Sequence, residues 1–212
     1  CECMTIIGEH NVGVVCPKCH TPVQSVLEQN LEPLVWLRAP AGVRALINPE
    51  VWTMLRKKFT IGGFDIIRWF TDTGYQPTST LPKMMPYLLG LNIPRGLNNF
   101  IDNFDTIVAA LFAHKEFRPK KGTTDNHLEV LLKQHRDCIF SQYLPLPNRS
   151  LLVIEESNVG TYVDPIVTGC VDAIRIMVGC DTELSSHSVR VKENRTIKTI
   201  AQLALFYDGL YK

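Results

Sequence analysis

The sequence has no run of about 18 apolar residues, so no segment reads as a membrane-crossing helix, and no charged-then-apolar stretch marks a leader. Both absences lead to the expectation of a soluble, cytoplasmic protein with no membrane contact. An excess of charge is missing too: 22 Lys and Arg stand against 21 Asp and Glu, a formal net charge of +1. Any contact with a polyanion must therefore come from local clusters of cations, not from the overall balance. No Ser/His/Asp or Cys/His grouping stands at motif spacing, which removes the usual signs of nucleophilic catalysis. What remains is an ordinary globular composition, 45% hydrophobic and 20% charged over 212 residues, enough chain to bury a real core.

Cysteine is the residue that is present in a pattern. Cys1-x-Cys3 is followed after twelve residues by Cys16-x-x-Cys19, two close pairs separated by a stretch long enough to turn back on itself. Four thiolates so spaced suit a tetrahedral zinc site. Thr5–Ile7, Gly8–Asn11 and Val12–Val15 read as strand, turn and strand, so a hairpin is expected to bring the pairs together as a zinc ribbon over residues 1–24. Two disulfides are the alternative. Against them stand the odd total of seven cysteines and the placing of Cys138, Cys170 and Cys180 in apolar stretches. His10 and His20 could replace a thiolate, but with four cysteines at hand they read as surface residues. A four-thiolate zinc is structural, having no open position for water or substrate, and this disfavours a metalloenzyme. A chain whose first residue is a metal ligand, with no initiator Met, is expected to be a segment of something longer.

Beyond the ribbon, Thr21–Leu37 alternates and ends in an apparent strand at Pro33–Leu37, broken by Pro40-Ala41-Gly42. A helix is expected from Asn48 as N-cap with Pro49 at the first helical position; the basic Arg56-Lys57-Lys58 falls in its last turn, facing the helix dipole. Residues 62–72 read as a second short helix, 76–83 as a loop, and Pro86–Gly90 as an apolar turn. Leu97, Phe100, Ile101, Phe104, Ile107, Val108, Leu111 and Phe112 keep helical spacing and predict one long amphipathic helix. Its Asp102 and Asp105 read as a solvated face rather than a carboxylate pair. Lys115–Thr124 reads as a basic loop, Asp125–Arg136 as a helix and Ile139–Leu146 as extended; His114, His127 and His135 have no metal-ligand partner at suitable spacing. Asp164 with Pro165 starts another helix, carrying Ile166, Val167, Cys170, Val171, Ile174 and Met177 on its apolar positions. Arg190, Lys192, Arg195 and Lys198 form a strip of four cations within nine residues, read as an extended or turn stretch before a last helix with Ile197, Ile200, Ala201 and Leu205.

Several of these stretches, in order, resemble one family. The cysteine spacing followed by a strand is similar to the zinc-binding region near the N-terminus of the largest subunit of multisubunit RNA polymerases, the bacterial β′ type. Tyr143-Leu-Pro-Leu-Pro-Asn-Arg149-Ser-Leu151 resembles the segment leading into the family's lid, Asp164–Val178 the helix after it, and Arg190–Ala201 the rudder. The resemblance implies an α+β, mostly helical fold: zinc ribbon, a helical clamp-head-like region over 25–142, and over 143–212 a lid-like loop, short helix, rudder-like loop and terminal helix. It implies a clamp, lid and rudder that hold template DNA and separate RNA from the hybrid, with Arg149, Arg190, Lys192, Arg195 and Lys198 near phosphates. Partners implied are the β-like and remaining β′-like polymerase subunits, DNA template and nascent RNA.

Departures from the family pattern matter. The stretch between lid-like and rudder-like segments is too short for the long helical hairpin on which the σ initiation factor docks. Such trimming is similar to the split polymerases of large bacteriophages. The family's magnesium-binding Asn-Ala-Asp-Phe-Asp-Gly-Asp loop is absent; Asn98–Asp105 only echoes it. Nucleotidyl transfer needs carboxylates converging on Mg²⁺ ions about 4 Å apart, so this segment supplies no catalytic residue and Mg²⁺ is expected only in the assembled enzyme. The rival reading is a free-standing zinc-ribbon adaptor that binds a protein or nucleic acid.

Overall fold

The computed structural model describes residues 1–24, 35–76, 83–119, 125–146, 154–158, 160–181 and 187–210. Past the cysteine-bearing segment, β1 (Trp36–Arg38) and β2 (Leu46–Ile47) flank the expected break: the Val43 N–H donates to the Pro40 carbonyl at 2.9 Å and Gly42 takes φ +89°. Gly42 has two reasons to be glycine, since a Cβ there would also meet Val189 Cγ2 at 2.9 Å. Asn48 then caps α1 (Pro49–Lys58) as the sequence predicts, its Oδ1 accepting the N–H groups of Glu50 and Val51 at 3.0 and 3.4 Å. Trp52 and Leu55 turn inward. Arg56, the first of the basic triplet, pairs with Asp65 and lies over the Trp52 ring, so at least this cation is engaged within the protein.

Residues 62–72 are not one helix. Gly62 and Gly63, with φ of +54° and +82°, make the two-residue turn of a hairpin between β3 (Thr60–Ile61) and β4 (Phe64–Asp65), and only then does α2 (Ile66–Thr71) begin. Two successive positive φ values suit that turn and exclude a helix. Asp65 ends the hairpin and caps α2, accepting the Arg68 N–H at 2.9 Å. The apolar turn is a short helix, α3 (Met85–Gly90).

The long amphipathic helix divides into α4 (Leu97–Asp102) and α5 (Phe104–Ala113). Asn103 leaves helical geometry between them, and its side-chain amide donates to the Asn99 carbonyl at 2.9 Å. Short polar side chains that bond back to the main chain favour such breaks. The apolar face nevertheless survives, for all eight residues that defined it are buried. In the same way the expected Asp125–Arg136 helix is α6 (Asp125–Gln134), interrupted at His135 and followed by α7 (Arg136–Ile139).

The extended stretch that follows supplies β5 (Phe140–Ser141) and β6 (Tyr143–Pro145), which close antiparallel pairs with β2 and β1: Leu46 faces Ser141 and Leu37 faces Leu144. The chain thus returns, after the helical region, to the strand that follows the cysteine segment. A hairpin of β7 (Ile154–Ser157) and β8 (Gly160–Val163) then leads to α8 (Pro165–Asp181). Asp164 caps α8 through its Oδ1, 2.7 Å from the Ile166 N–H, as expected.

The last element overturns an expectation. Arg190–Ala201 is no loop but lies inside α9 (Val189–Leu210), 22 residues long. Glu193, Thr196, Ile197, Thr199, Ile200, Leu203 and Ala204 form its buried face. Thr196 and Thr199, which read as loop residues, donate their hydroxyls to the carbonyls four residues back, at 2.9 and 3.1 Å, and so fit a helix interior. α9 packs on α8 and α1, where Gly169, Cys170, Ala173, Met177 and Cys180 of α8 are buried. One cluster of buried side chains runs from Leu37 to Ala204, with Phe100, Phe104 and Phe140 meeting edge to face. The fold is α+β with small antiparallel pairs, and no helix of the described residues is long and apolar enough to cross a membrane.

Candidate metal centre and basic helix

Cys1, Cys3, Cys16 and Cys19 converge, with every Sγ within 4.8 Å of the others. Cys3 Sγ lies 3.6 Å from both Cys1 and Cys16. Sulfurs held about 2.3 Å from a common centre in a tetrahedron stand about 3.8 Å apart, so the quartet has the dimensions of a metal cage. All four thiols are free, and 3.6 Å is far beyond a disulfide bond of about 2.05 Å, so the disulfide alternative fails.

The cage is not built by the expected hairpin. No strand runs through Thr5–Val15; that segment bends, with a single 3₁₀ turn at Glu9–Asn11. Backbone pairing instead surrounds the second cysteine pair, where Val15 bridges Pro22 and the Val23 N–H donates to the Val14 carbonyl at 2.9 Å. Inside that loop the Cys16 N–H donates to the Thr21 carbonyl at 3.0 Å and the His20 N–H to the Cys16 carbonyl at 2.8 Å. His20 takes φ +57° to make this turn, and its ring stays outside the quartet. His10 also stays outside, its ring 3.1 Å from Asn11 Nδ2.

Hydrogen bonds from neighbouring groups stabilise thiolate. Thr5 Oγ1 stands 3.0 Å from Cys3 Sγ, and the Ile6 N–H donates to Cys1 Sγ at 3.4 Å. The Thr21 hydroxyl, 3.0 Å from Cys19 Sγ, together with the Thr21 and Cys3 main chain, pulls the Cys19 pKa from 9.0 to about 6 against a small opposing effect of burial. Such partners orient and tune a metal's ligands. Cys170 behaves in the opposite way: apolar burial pushes its thiol up, as fits a packing residue. Only Cys16 and Val23 are buried among residues 1–24, and neither belongs to the main cluster. A module with so little core needs another source of cohesion, which a metal supplies. The donor set therefore fits a metal ion.

The predicted phosphate contacts separate on α9. Arg190 is exposed and donates from Nε to Thr73 Oγ1 at 3.1 Å. Lys192 is turned inward: its side chain is 13% exposed, with Nζ 3.2 Å from Asp181 Oδ1 and 3.3 Å from the Ala41 carbonyl. This removes it from the strip. Arg195 is half-buried and Lys198 exposed, and neither makes an ion pair among the described residues. Arg149 lies outside the described residues.

The echo of the magnesium loop is structural. Asp102 pairs with Arg44 at 2.6 Å and Asp105 with Arg136 at 3.2 Å, so the carboxylates serve different partners and do not converge. Asn98 Oδ1 accepts the Arg44 N–H at 2.9 Å, while its amide donates to the Gly42 carbonyl at 2.8 Å. Sequence reading missed Arg95. From Nε and Nη2 it donates to the carbonyls of Trp69, Asp72 and Tyr75 at 2.6–2.8 Å, holding the loop that presents Thr73 to Arg190. An isolated Arg in a Pro-Arg-Gly turn carries no signal of that role.

Compared with known proteins, the chain matches no family model and no curated protein.

Proposed function

We propose that this chain is the β′-like N-terminal part of a multisubunit DNA-dependent RNA polymerase, with a structural Zn²⁺ in the four-cysteine cage. The carrying observation is the cage itself: four cysteines at the family's spacing come within 4.8 Å of one another in a segment that has almost no core. Zinc is the metal that four thiolates at tetrahedral separations select. A second observation supports the reading. The strand after the cysteines, β1, pairs with β6, the strand that begins the lid-like stretch, so the two stretches that carry the resemblance are hydrogen-bonded neighbours.

On this reading the helical body belongs to the clamp, and the β7–β8 hairpin, all of whose Gly160–Val163 strand is exposed, takes the lid's part beside the RNA–DNA hybrid. The rudder assignment is withdrawn in favour of α9, whose outer side carries Arg190, Arg195 and Lys198 toward nucleic-acid phosphates. Catalytic Mg²⁺ is held by carboxylates from other parts of the enzyme, and the partners are the β-like and remaining β′-like subunits, template DNA and nascent RNA. The divergent, trimmed form favours a large bacteriophage as the source, acting in its host's cytoplasm.

The test is to purify the tagged native protein, identify what accompanies it, and assay the assembly for template-directed RNA synthesis with Mg²⁺. Co-purifying subunits that carry the aspartate loop, together with RNA product, sustain the reading. A lone, monodisperse zinc protein without activity makes the free-standing adaptor the better account.

A further inference from the structure

Two guanidinium groups from distant parts of the chain meet at one cavity. It measures about 340 Å³ and is lined by Thr73, Arg95, Arg190 and Glu193. Like charges come together against their repulsion, and the effect is felt. Burial pushes the Arg95 guanidinium below its usual range, and the charge on Arg190 adds to that push while Asp72 opposes it. Neither arginine has an ion pair within 4.0 Å among the described residues, although Glu193 stands one turn from Arg190 on α9.

The donors are also in surplus. Arg95 uses Nε and Nη2 on three carbonyls and leaves Nη1 without a hydrogen bond; Arg190 uses Nε on Thr73 and leaves both Nη groups. The one acid at the cavity is committed elsewhere. Glu193 Oε1 accepts the Asn98 N–H at 2.7 Å, in the first turn of α4, and Gly96 lies so close that a Cβ there would meet Oε2 at 3.2 Å. Thr73 is fixed in place by Asn194, whose amide donates to its hydroxyl at 2.9 Å and whose oxygen accepts its N–H at 3.2 Å.

We propose that this cavity, framed by Arg190, Arg95 and Thr73, binds a single phosphate group. Two forks from different elements and a hydroxyl approach from separate directions, which suits a tetrahedral oxyanion better than a planar carboxylate matched by one fork. Arg190 lies in the first turn of a long helix, where the helix dipole adds to the positive potential. The identity of the phosphate rests on the polymerase reading, under which it belongs to a nucleic-acid backbone; a nucleotide phosphate would use the same donors.

The experiment uses the full zinc-loaded chain. A fluorescein-labelled single-stranded DNA with a 5′-hydroxyl is titrated by anisotropy at several salt concentrations, and ATP is added as competitor and, separately, as direct ligand. Arg190→Ala is expected to weaken the bound probe at least tenfold and to lower the DNA salt slope by about 0.7. Arg190→Lys is expected to restore only part, because the fork is lost, while Lys115→Ala, at an exposed cation away from the cavity, changes affinity less than twofold. DNA binding that millimolar ATP does not displace identifies a backbone phosphate; displacement by micromolar ATP identifies a nucleotide phosphate. Both sustain the proposal. Equal effects of Arg190→Ala and Lys115→Ala, or binding of neither probe, overturn it. Failure here is distinct from failure of the polymerase reading, which is decided by the accompanying subunits and RNA synthesis whatever Arg190→Ala does.

Discussion

Lys192 decides between the linear strip and the helix, because the two give it opposite duties. In α9 its ammonium joins Asp181 at 3.2 Å and the Ala41 carbonyl at 3.3 Å, tying the end of α8 to the turn before β2. Lys192→Met keeps most of the apolar stem and deletes only the charge. A hydrogen bond to a charged group contributes about 1.5–3 kcal/mol, and an ion pair with a partner as exposed as Asp181 about 0–1. Asp181 is not orphaned by the change, since it still accepts the Ala41 N–H at 3.0 Å. The net expectation is a loss of about 1–2 kcal/mol, a fall in the thermal midpoint of roughly 2–8 °C for a chain of this size. A double-mutant cycle with Asp181→Asn should return a coupling of about 1 kcal/mol. Oligonucleotide affinity should stay within twofold of the parent. An unchanged midpoint together with a DNA affinity reduced as far as in Arg190→Ala would refute the placement, and with it the reading of α9.

Three other outcomes follow from the same structure. Chelation of zinc should leave the far-UV circular dichroism of the helical body nearly intact while exposing Lys18 to trypsin, because residues 1–24 share no part of the main buried cluster; cooperative loss of the whole fold would contradict this. Thr21→Val should return the Cys19 pKa from about 6 toward 9.0. Since zinc binds thiolate, a depressed pKa means the ligand is ready above about pH 6, whereas in the variant it is ready only above about pH 9. Competition with a chromophoric chelator should then show affinity up to about 100-fold weaker at pH 7, a gap that closes as pH reaches 9; a gap independent of pH would count against the hydroxyl's role. Gly42→Ala places a Cβ 2.9 Å from Val189 Cγ2 at φ +89° and should cost about 1–3 kcal/mol in urea unfolding, while a neutral result would show that the turn relaxes freely.

The metal quartet was legible because its information is local: two spacings fix which four sulfurs can meet. The manner of their meeting was not, since the pairing that closes the site, Val15 with Pro22, surrounds the second cysteine pair instead of joining the two arms of the loop between pairs. Asn48-Pro49 and Asp164-Pro165 were equally readable, as a cap and its proline lie side by side in sequence. Gly62-Gly63 misled because β3 and β4 have two residues each, too short to show alternation. The β1–β6 pair joins Trp36 to Pro145 across more than half the chain, and nothing in either strand names its partner.

The rudder-like stretch failed for a more general reason. Four cations within nine residues look like one feature only if the chain is extended. At about 100° per residue in a helix, Lys198 and Arg195 stand about 80° and 140° around from Arg190, whereas Lys192 stands about 200° away, within the arc occupied by Thr199, Leu203 and Thr196. All three of those are buried. The buried residues of α9 therefore sort the cations: they draw Lys192 into the protein and leave Lys198 at the middle of the outer side, with Arg190 and Arg195 toward its edges. Arg190, at one edge, is the one that meets Arg95 across the cavity. The unit that can hold a phosphate is consequently not the basic strip but a pair of arginines 95 positions apart in sequence, and only the packing of α9 brings that pair into being.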